Sequence, residues 1–201
     1  MSEKIATRVA YGNALAEIGS NENIVVLDAD LSKSTKTNIF KEKYPERHIN
    51  VGIAEANMMA IAAGLATCGK TVFASSFAVF AAGRAFDQVR NSIGYPHLNV
   101  KIGATHAGIT IGEDGASHQA IEDIALMRSI PGMTVISPAD AVSTRALVKL
   151  SAEMYGPVYL RLGRLGVPVI YPEDAKFEIG RGVTLKDGKD VTLIATGYMV
   201  Q

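Results

Sequence analysis

Two histidines, His106 and His118, bracket the adjacent acids Glu113 and Asp114 in the run GATHAGITIGEDGASHQ (103–119). Imidazoles beside carboxylates are the residue types that move protons and hydrogen-bond hydroxyl groups near neutral pH. Glycines flank the acid pair, and the plain alternative is a solvated surface loop carrying scattered polar groups. The spacing fits no standard zinc pattern. A third acid, Glu55, follows the run HINVGI (48–53), where its carboxyl is either partly desolvated or simply complements the dipole of the helix it opens. Phe77 and Phe80 are three residues apart, which on a helix puts both rings on one face. They can share one flat ligand or serve only as core.

The elements that must position these groups alternate in type. Helix-like spacing runs over 5–18, and IVVLDAD (24–30) is a short apolar run ending in acids. HINVGI is a second strand, followed by a helix from Glu55 to about Thr67. TVFAS (71–75) is the next strand, and 77–93 the next helix. LNVKIGAT (98–105) runs as a strand into the glycine-rich loop. A helix over 119–129, the strand MTVIS (133–137), a helix begun by Pro138 and ended by Gly156, and the strand PVYLRLG (157–163) complete the series. Strands alternating with helices predict an α/β fold with a parallel sheet covered on both faces. Ligands in such folds lie at the carboxyl ends of the strands, which directs attention to 28–34, 52–55, 75–77 and 105–117.

GLATCGKT (64–71) matches the phosphate-binding G-x-x-x-x-G-K-T pattern literally. That motif needs a strand before it and a helix after it, and here the order is reversed. Gly69 reads instead as a helix-ending glycine.

The bulk figures agree with a folded domain. The chain has 201 residues, 48% hydrophobic and 20% charged, with 20 Lys+Arg against 20 Asp+Glu. A neutral balance with no basic stripe argues against a nucleic-acid partner. A single cysteine, Cys68, excludes an internal disulfide and is expected to be a small buried residue; His48 and His97 are expected to be structural. No apolar run is long enough to span a membrane, and the N-terminus lacks a signal-peptide core, so the expectation is a cytoplasmic protein. Beyond about residue 168 the texture changes. Residues 1–168 are expected to form one domain, and 169–201 a linker and the truncated start of another, with KDVTLIATGYMVQ beginning a fresh strand.

The run GEDGASHQ, followed by IEDIALMRSIPGMTVISPAD, resembles the pyrimidine-binding domain of transketolase and its G-E-D-G-x-S/T-H-Q signature. NVGIAEANMMAIAAGLA resembles that family's G-I-x-E motif, and DADLSKSTKT its D-L-x-x-S segment. The resemblance runs in order along nearly the whole chain. It implies that thiamine diphosphate is the cofactor, with Glu55 on its pyrimidine nitrogen, Phe77 and Phe80 packing on the ring, and Asp30 an acid on the cofactor side. One family aromatic falls at Ala74, which implies a smaller platform. His106 and His118 resemble the histidines that bind donor hydroxyls and carbonyl oxygen and assist proton transfer, and Asp114 the acid that reads hydroxyl stereochemistry. Arg8, Ser34 and Arg164 align with groups that hold a sugar phosphate, with Arg161 a rival to Arg164.

The family's G-D-G metal and diphosphate motif is missing. The resemblance therefore implies half a site, with Mg2+ (or Ca2+) held mainly by an N-terminal transketolase subunit, and homodimerisation within a heterotetramer. The activity implied is ketol transfer between sugar phosphates, from a ketose such as xylulose 5-phosphate to an aldose such as ribose 5-phosphate, in the pentose phosphate pathway. The alternatives are a 1-deoxyxylulose-5-phosphate synthase-like chain, a 2-oxo acid dehydrogenase beta chain, or a non-catalytic assembly module.

Overall fold

A computed structural model describes residues 4–201. Six parallel strands form the main sheet in the order β3-β2-β4-β5-β7-β6. They are β2 (Ile24–Asp28), β3 (His48–Asn50), β4 (Thr71–Phe77), β5 (Val100–Thr105), β6 (Thr134–Ile136) and β7 (Val158–Arg161). Side chains alternate across each strand, so each strand feeds two cores. Ile24 and Val26 of β2, Phe73 of β4 and Val158 and Leu160 of β7 face α1 (Thr7–Ile18), α3 (Asn38–Lys43) and α7 (Ala141–Glu153), meeting Tyr11, Leu15, Phe40 and Val148. Val25, Leu27, Val72, Ala74, Ile102 and Tyr159 face the other way, onto Met58 and Met59 of α4 (Glu55–Thr67), Ile93, and Met127 of α6 (Asp123–Arg128). The expected doubly covered parallel sheet is what the chain forms.

Local chemistry sets the ends of these elements. Asp140 caps α7 by accepting from Ser143 N at 2.8 Å, in a reciprocal box with the Ser143 side chain, a device worth about 1 kcal/mol. Its other oxygen accepts from the backbone of Ile170 and Tyr171. One buried carboxylate thus starts a helix and anchors the chain that leaves the domain. At Gly103 the phenol of Tyr11, which hydrogen-bonds Ser75 Oγ at 2.8 Å, lies where any Cβ would be. Only glycine lets the central strand pass.

The literal P-loop match behaves as its context predicts. Gly64 to Thr67 end α4, Gly69 adopts φ +82°, and Thr71 starts β4. Lys70 reaches only Glu22 O and Asn23 Oδ1, at 3.4 and 3.5 Å, at the sheet edge opposite the candidate groups.

Several expectations are corrected. Residues 4–6 are not helical: β1 (Lys4–Ala6) pairs antiparallel with β8 (Gly166–Pro168), a two-stranded ribbon too short to leave a periodic signal. Phe77 is the last residue of β4, not part of a helix, and the segment after it is wound wide, as π-helical Val79–Arg84, the short α5 (Phe86–Gln88) and π-helical Val89–Gly94. Ala74 is a fully buried mid-strand position. Cys68 is exposed in the turn after α4. Residues 190–196 form no strand, because no neighbouring strand offers them a ladder; Leu193 and Ile194 are 88% and 92% exposed. Beyond them Gly197–Val200 forms a single turn docked by Gly197 N on Ser137 O (3.0 Å) and Tyr198 OH on Leu165 O (2.7 Å). Among the described residues no helix is long and apolar enough to cross a membrane.

Candidate active site

The carboxyl ends of β2, β3, β4, β5 and β7 carry nearly every group singled out in the sequence. Glu55 is the first residue of α4, reached from β3 through Gly52 at φ +75°. Its side chain is 1% exposed, and Oε2 accepts from Arg84 Nη1 at 2.9 Å. The Arg84 guanidinium lies over the Phe80 ring, 4.3 Å from its centroid. Phe80 stacks with Phe77 at 5.9 Å, and Phe77 with His106 at 3.9 Å. His118 meets Phe80 edge-on at 5.2 Å and Phe77 at 6.3 Å. Carboxylate, guanidinium, two phenyl rings and two imidazoles therefore form one continuous row.

His106 is the hub of the row. It follows β5 directly, at φ +59°, a left-handed conformation uncommon for a residue with a side chain. It is buried, and Nδ1 is held by Thr105 Oγ1 at 2.9 Å. Nε2 has no partner among the described residues. Burial, then the charges of Arg8 and Arg164, push its pKa down to about 4, against a smaller pull upward from Asp114. The ring is thus neutral at ordinary pH and offers Nε2 to whatever lies above it.

The two arginines come together through the ribbon. Pairing of β1 with β8 brings Arg8, just past one strand, beside Arg164, just before the other; Arg8 Nε donates to Arg164 O at 3.3 Å and Nη1 to Ser34 O at 2.8 Å. Burial and then Arg164 lower the Arg8 pKa. Two guanidinium groups, neither paired with a carboxylate among the described residues, can hold an anion. Gly112, at φ +88°, packs so closely on Arg164 that a Cβ would collide with Nη1, so the glycine-rich loop folds onto this cluster. Arg161, the rival, is occupied instead by the buried Asp123, with Nε to Oδ2 at 2.8 Å. Arg164 is the one left available.

Asp114 and His118 occupy the exposed and half-buried rim of the loop, within electrostatic reach of His106. Asp30 stands apart. It is exposed at φ +65°, exchanging hydrogen bonds with Asn50 (Asn50 Nδ2 to Asp30 Oδ1, 2.9 Å; Asp30 N to Asn50 Oδ1, 3.1 Å). Beneath that loop Asp28 is fully buried and accepts from Leu31 N, Thr35 Oγ1 and Thr37 Oγ1, while Thr37 bonds His48 Nε2 at 3.3 Å. Arg84, Asn50 and Asp28 have no place among the sequence-derived site residues. Asp28 opens the 28–34 stretch at a strand end, and Arg84 falls four residues after Phe80 on the predicted helix; Asn50 left no signal.

Phenyl rings beside a carboxylate are groups that can hold a flat, nitrogen-bearing ring, and Glu55 Oε1 accepts nothing from the described residues. A cavity of about 270 Å³ lies between Gly108–Thr110, Ser137 and Tyr198–Met199.

Residues 3–169 match the transketolase pyrimidine-binding domain. The chain belongs to the transketolase family. A protein assigned as a transketolase C-terminal section in Methanocaldococcus jannaschii is 58% identical over 196 residues, covering 96% of this chain and 62% of the relative. A split-gene transketolase solved as an inactive β4 tetramer is 64% identical with a TM-score of 0.89, covering 98% of this chain and 64% of that one. Transketolase of Pichia stipitis in complex with sedoheptulose 7-phosphate is 30% identical with a TM-score of 0.76, over 84% of this chain and 27% of that one. The chain thus spans under two thirds of the length of these transketolases, and aligns with the C-terminal section of a split one.

Proposed function

We propose that this chain is the C-terminal subunit of a two-chain transketolase. It transfers a two-carbon ketol unit from a ketose phosphate such as xylulose 5-phosphate to an aldose phosphate such as ribose 5-phosphate. The observation that carries this reading is the row from Glu55 through Phe80, Phe77 and His106 to the Arg8–Arg164 pair, a ring site joined to an anion site. Thiamine diphosphate, when bound, supplies the carbon nucleophile and electron sink for cleaving the bond next to a carbonyl.

In this reading Phe77 and Phe80 take the pyrimidine face and Glu55 Oε1 hydrogen-bonds its ring nitrogen. His106, neutral near pH 7, presents Nε2 to a donor hydroxyl or carbonyl oxygen and exchanges a proton there. His118 and Asp114, on the rim, bind further hydroxyls. Arg8, Ser34 and Arg164 hold the phosphate, fixing the far end of an extended sugar so that its reacting carbons lie over the row. Asp30, away from the row, belongs to the cofactor side of the subunit contact. The diphosphate and its Mg2+ or Ca2+ go to an N-terminal subunit, since this sequence has no G-D-G run; homodimerisation then builds a heterotetramer. Residues 1–168 act as the pyrimidine-binding domain and 169–201 as a segment leading away from it. That the split-gene relative is inactive as a β4 tetramer supports the half-site reading.

The test is reconstitution. The chain alone, given thiamine diphosphate, Mg2+, xylulose 5-phosphate and ribose 5-phosphate, should form no product. Mixed with an N-terminal transketolase section it should turn over. Turnover by the chain alone would overturn the half-site assignment.

A further inference from the structure

The ion pair of Glu55 is asymmetric. Its Oε2 is held by Arg84 Nη1 at 2.9 Å, while Oε1 accepts nothing from the described residues. Glu55 is buried, yet half of the Arg84 side chain is exposed. A pair serving stability alone is better buried on both sides or saturated at both oxygens, since a buried carboxylate with a spare lone pair is costly. The second contact of Arg84 is equally specific: its guanidinium lies over the Phe80 ring, 4.3 Å from the centroid. A guanidinium is planar, with donors in its plane and a face free to stack. Lying over Phe80 and bonded to Glu55 Oε2, one guanidinium ties the aromatic ring to the carboxylate. The arrangement depends on the π-helical turn Val79–Arg84, a winding found mostly at functional sites.

We propose that Arg84 is a positioning residue for cofactor capture. It clamps one oxygen of Glu55 and the face of Phe80, so that the carboxylate and the aromatic platform are set relative to each other before a ring arrives. This rests on the reading of Glu55 and Phe80 as the pyrimidine site. Arg84 does not touch the ring; it lowers the ordering cost of the two groups that do.

The experiment measures thiamine diphosphate affinity by calorimetry, with the chain assembled with an N-terminal transketolase section. Arg84→Met should weaken binding about tenfold, the size of one charge-assisted hydrogen bond. Arg84→Lys, which keeps the charge and loses the flat fork, should weaken it by roughly threefold. In a Glu55→Gln background, itself weakened, Arg84→Met should add less than about twofold, because nothing remains to be positioned. The chain alone provides a readout independent of cofactor: Arg84→Met should lower Tm by roughly 4–8 °C, and most of that loss should vanish in the Glu55→Gln background. If Arg84→Met leaves affinity unchanged while Glu55→Gln weakens it, the positioning role is wrong and the pyrimidine site stands. If Glu55→Gln leaves affinity unchanged, the pyrimidine site itself is wrong. Should Arg84→Met fail to assemble, Arg84→Lys decides: wild-type affinity in that variant rules out the clamp.

Discussion

Strand β5 carries a buried base at each end. Near its start, Lys101 is fully buried with no carboxylate beside it, and its ammonium donates to Met154 O and Gly156 O, both at 2.6 Å. Just past its end, His106 is held by one nitrogen through Thr105, and the other nitrogen has no partner among the described residues. Burial pushes Lys101 down to about 7 and His106 down to about 4. The same strand and the same desolvation thus produce two different objects. Lys101 is spent on closing the C-terminal end of α7, whereas His106 is kept unsaturated among arginines and aromatic rings. What distinguishes the two bases is the spare hydrogen-bonding atom of His106, not the size of the shift.

The two bases can be told apart by the pH window in which each affects stability. For both, the unfolded chain binds the proton more tightly than the folded one, so stability rises with pH between the folded and unfolded pKa values. For His106 that window runs from about 4 to the ordinary histidine value of 6.5. Acidification through it should cost about 3 kcal/mol. His106→Asn, which tolerates the left-handed backbone, should remove that loss, seen as a flatter Tm-versus-pH curve below pH 6.5. An unchanged curve would show that His106 is not the desolvated base described. The other effect belongs to Lys101, in the window from about 7 up to the ordinary lysine value of 10.5. Lys101→Met should cost about 1–2 kcal/mol at pH 7 through two unsatisfied carbonyls. It should also abolish the rise in stability above pH 7, and leave turnover of the reconstituted enzyme intact. A large loss of turnover in that variant would erase the distinction between the two ends.

How much of this was legible in the sequence follows the range of each interaction. Glu55 is read correctly as the residue that opens α4, because strand, turn and helix are contiguous there. The histidines, Asp114 and the phenylalanines fall at one sheet edge because parallel strands send all their carboxyl ends the same way. What stayed hidden is non-local or too short to be periodic. The β1–β8 ribbon joins residues more than 150 apart and is three residues long on each side, yet it is what brings Arg8 to Arg164. The pairing of Arg161 with Asp123, 38 residues away, leaves no trace in the spacing of RLGRLG. Phe77 reads as helical because its i, i+3 spacing to Phe80 fits equally well where a strand ends and a wide turn begins. The apolar run at 191–194 reads as a strand from its residues, but a strand needs a neighbour and none pairs with it among the described residues.

The central claim is that Glu55 makes this surface half of a thiamine diphosphate site. Its most direct test is ketol transfer by the chain reconstituted with an N-terminal transketolase section, comparing wild type with Glu55→Ala at saturating cofactor. The account predicts a loss of at least about a hundredfold in kcat, in line with removing a group that acts in proton transfer. Turnover within a fewfold of wild type would contradict it.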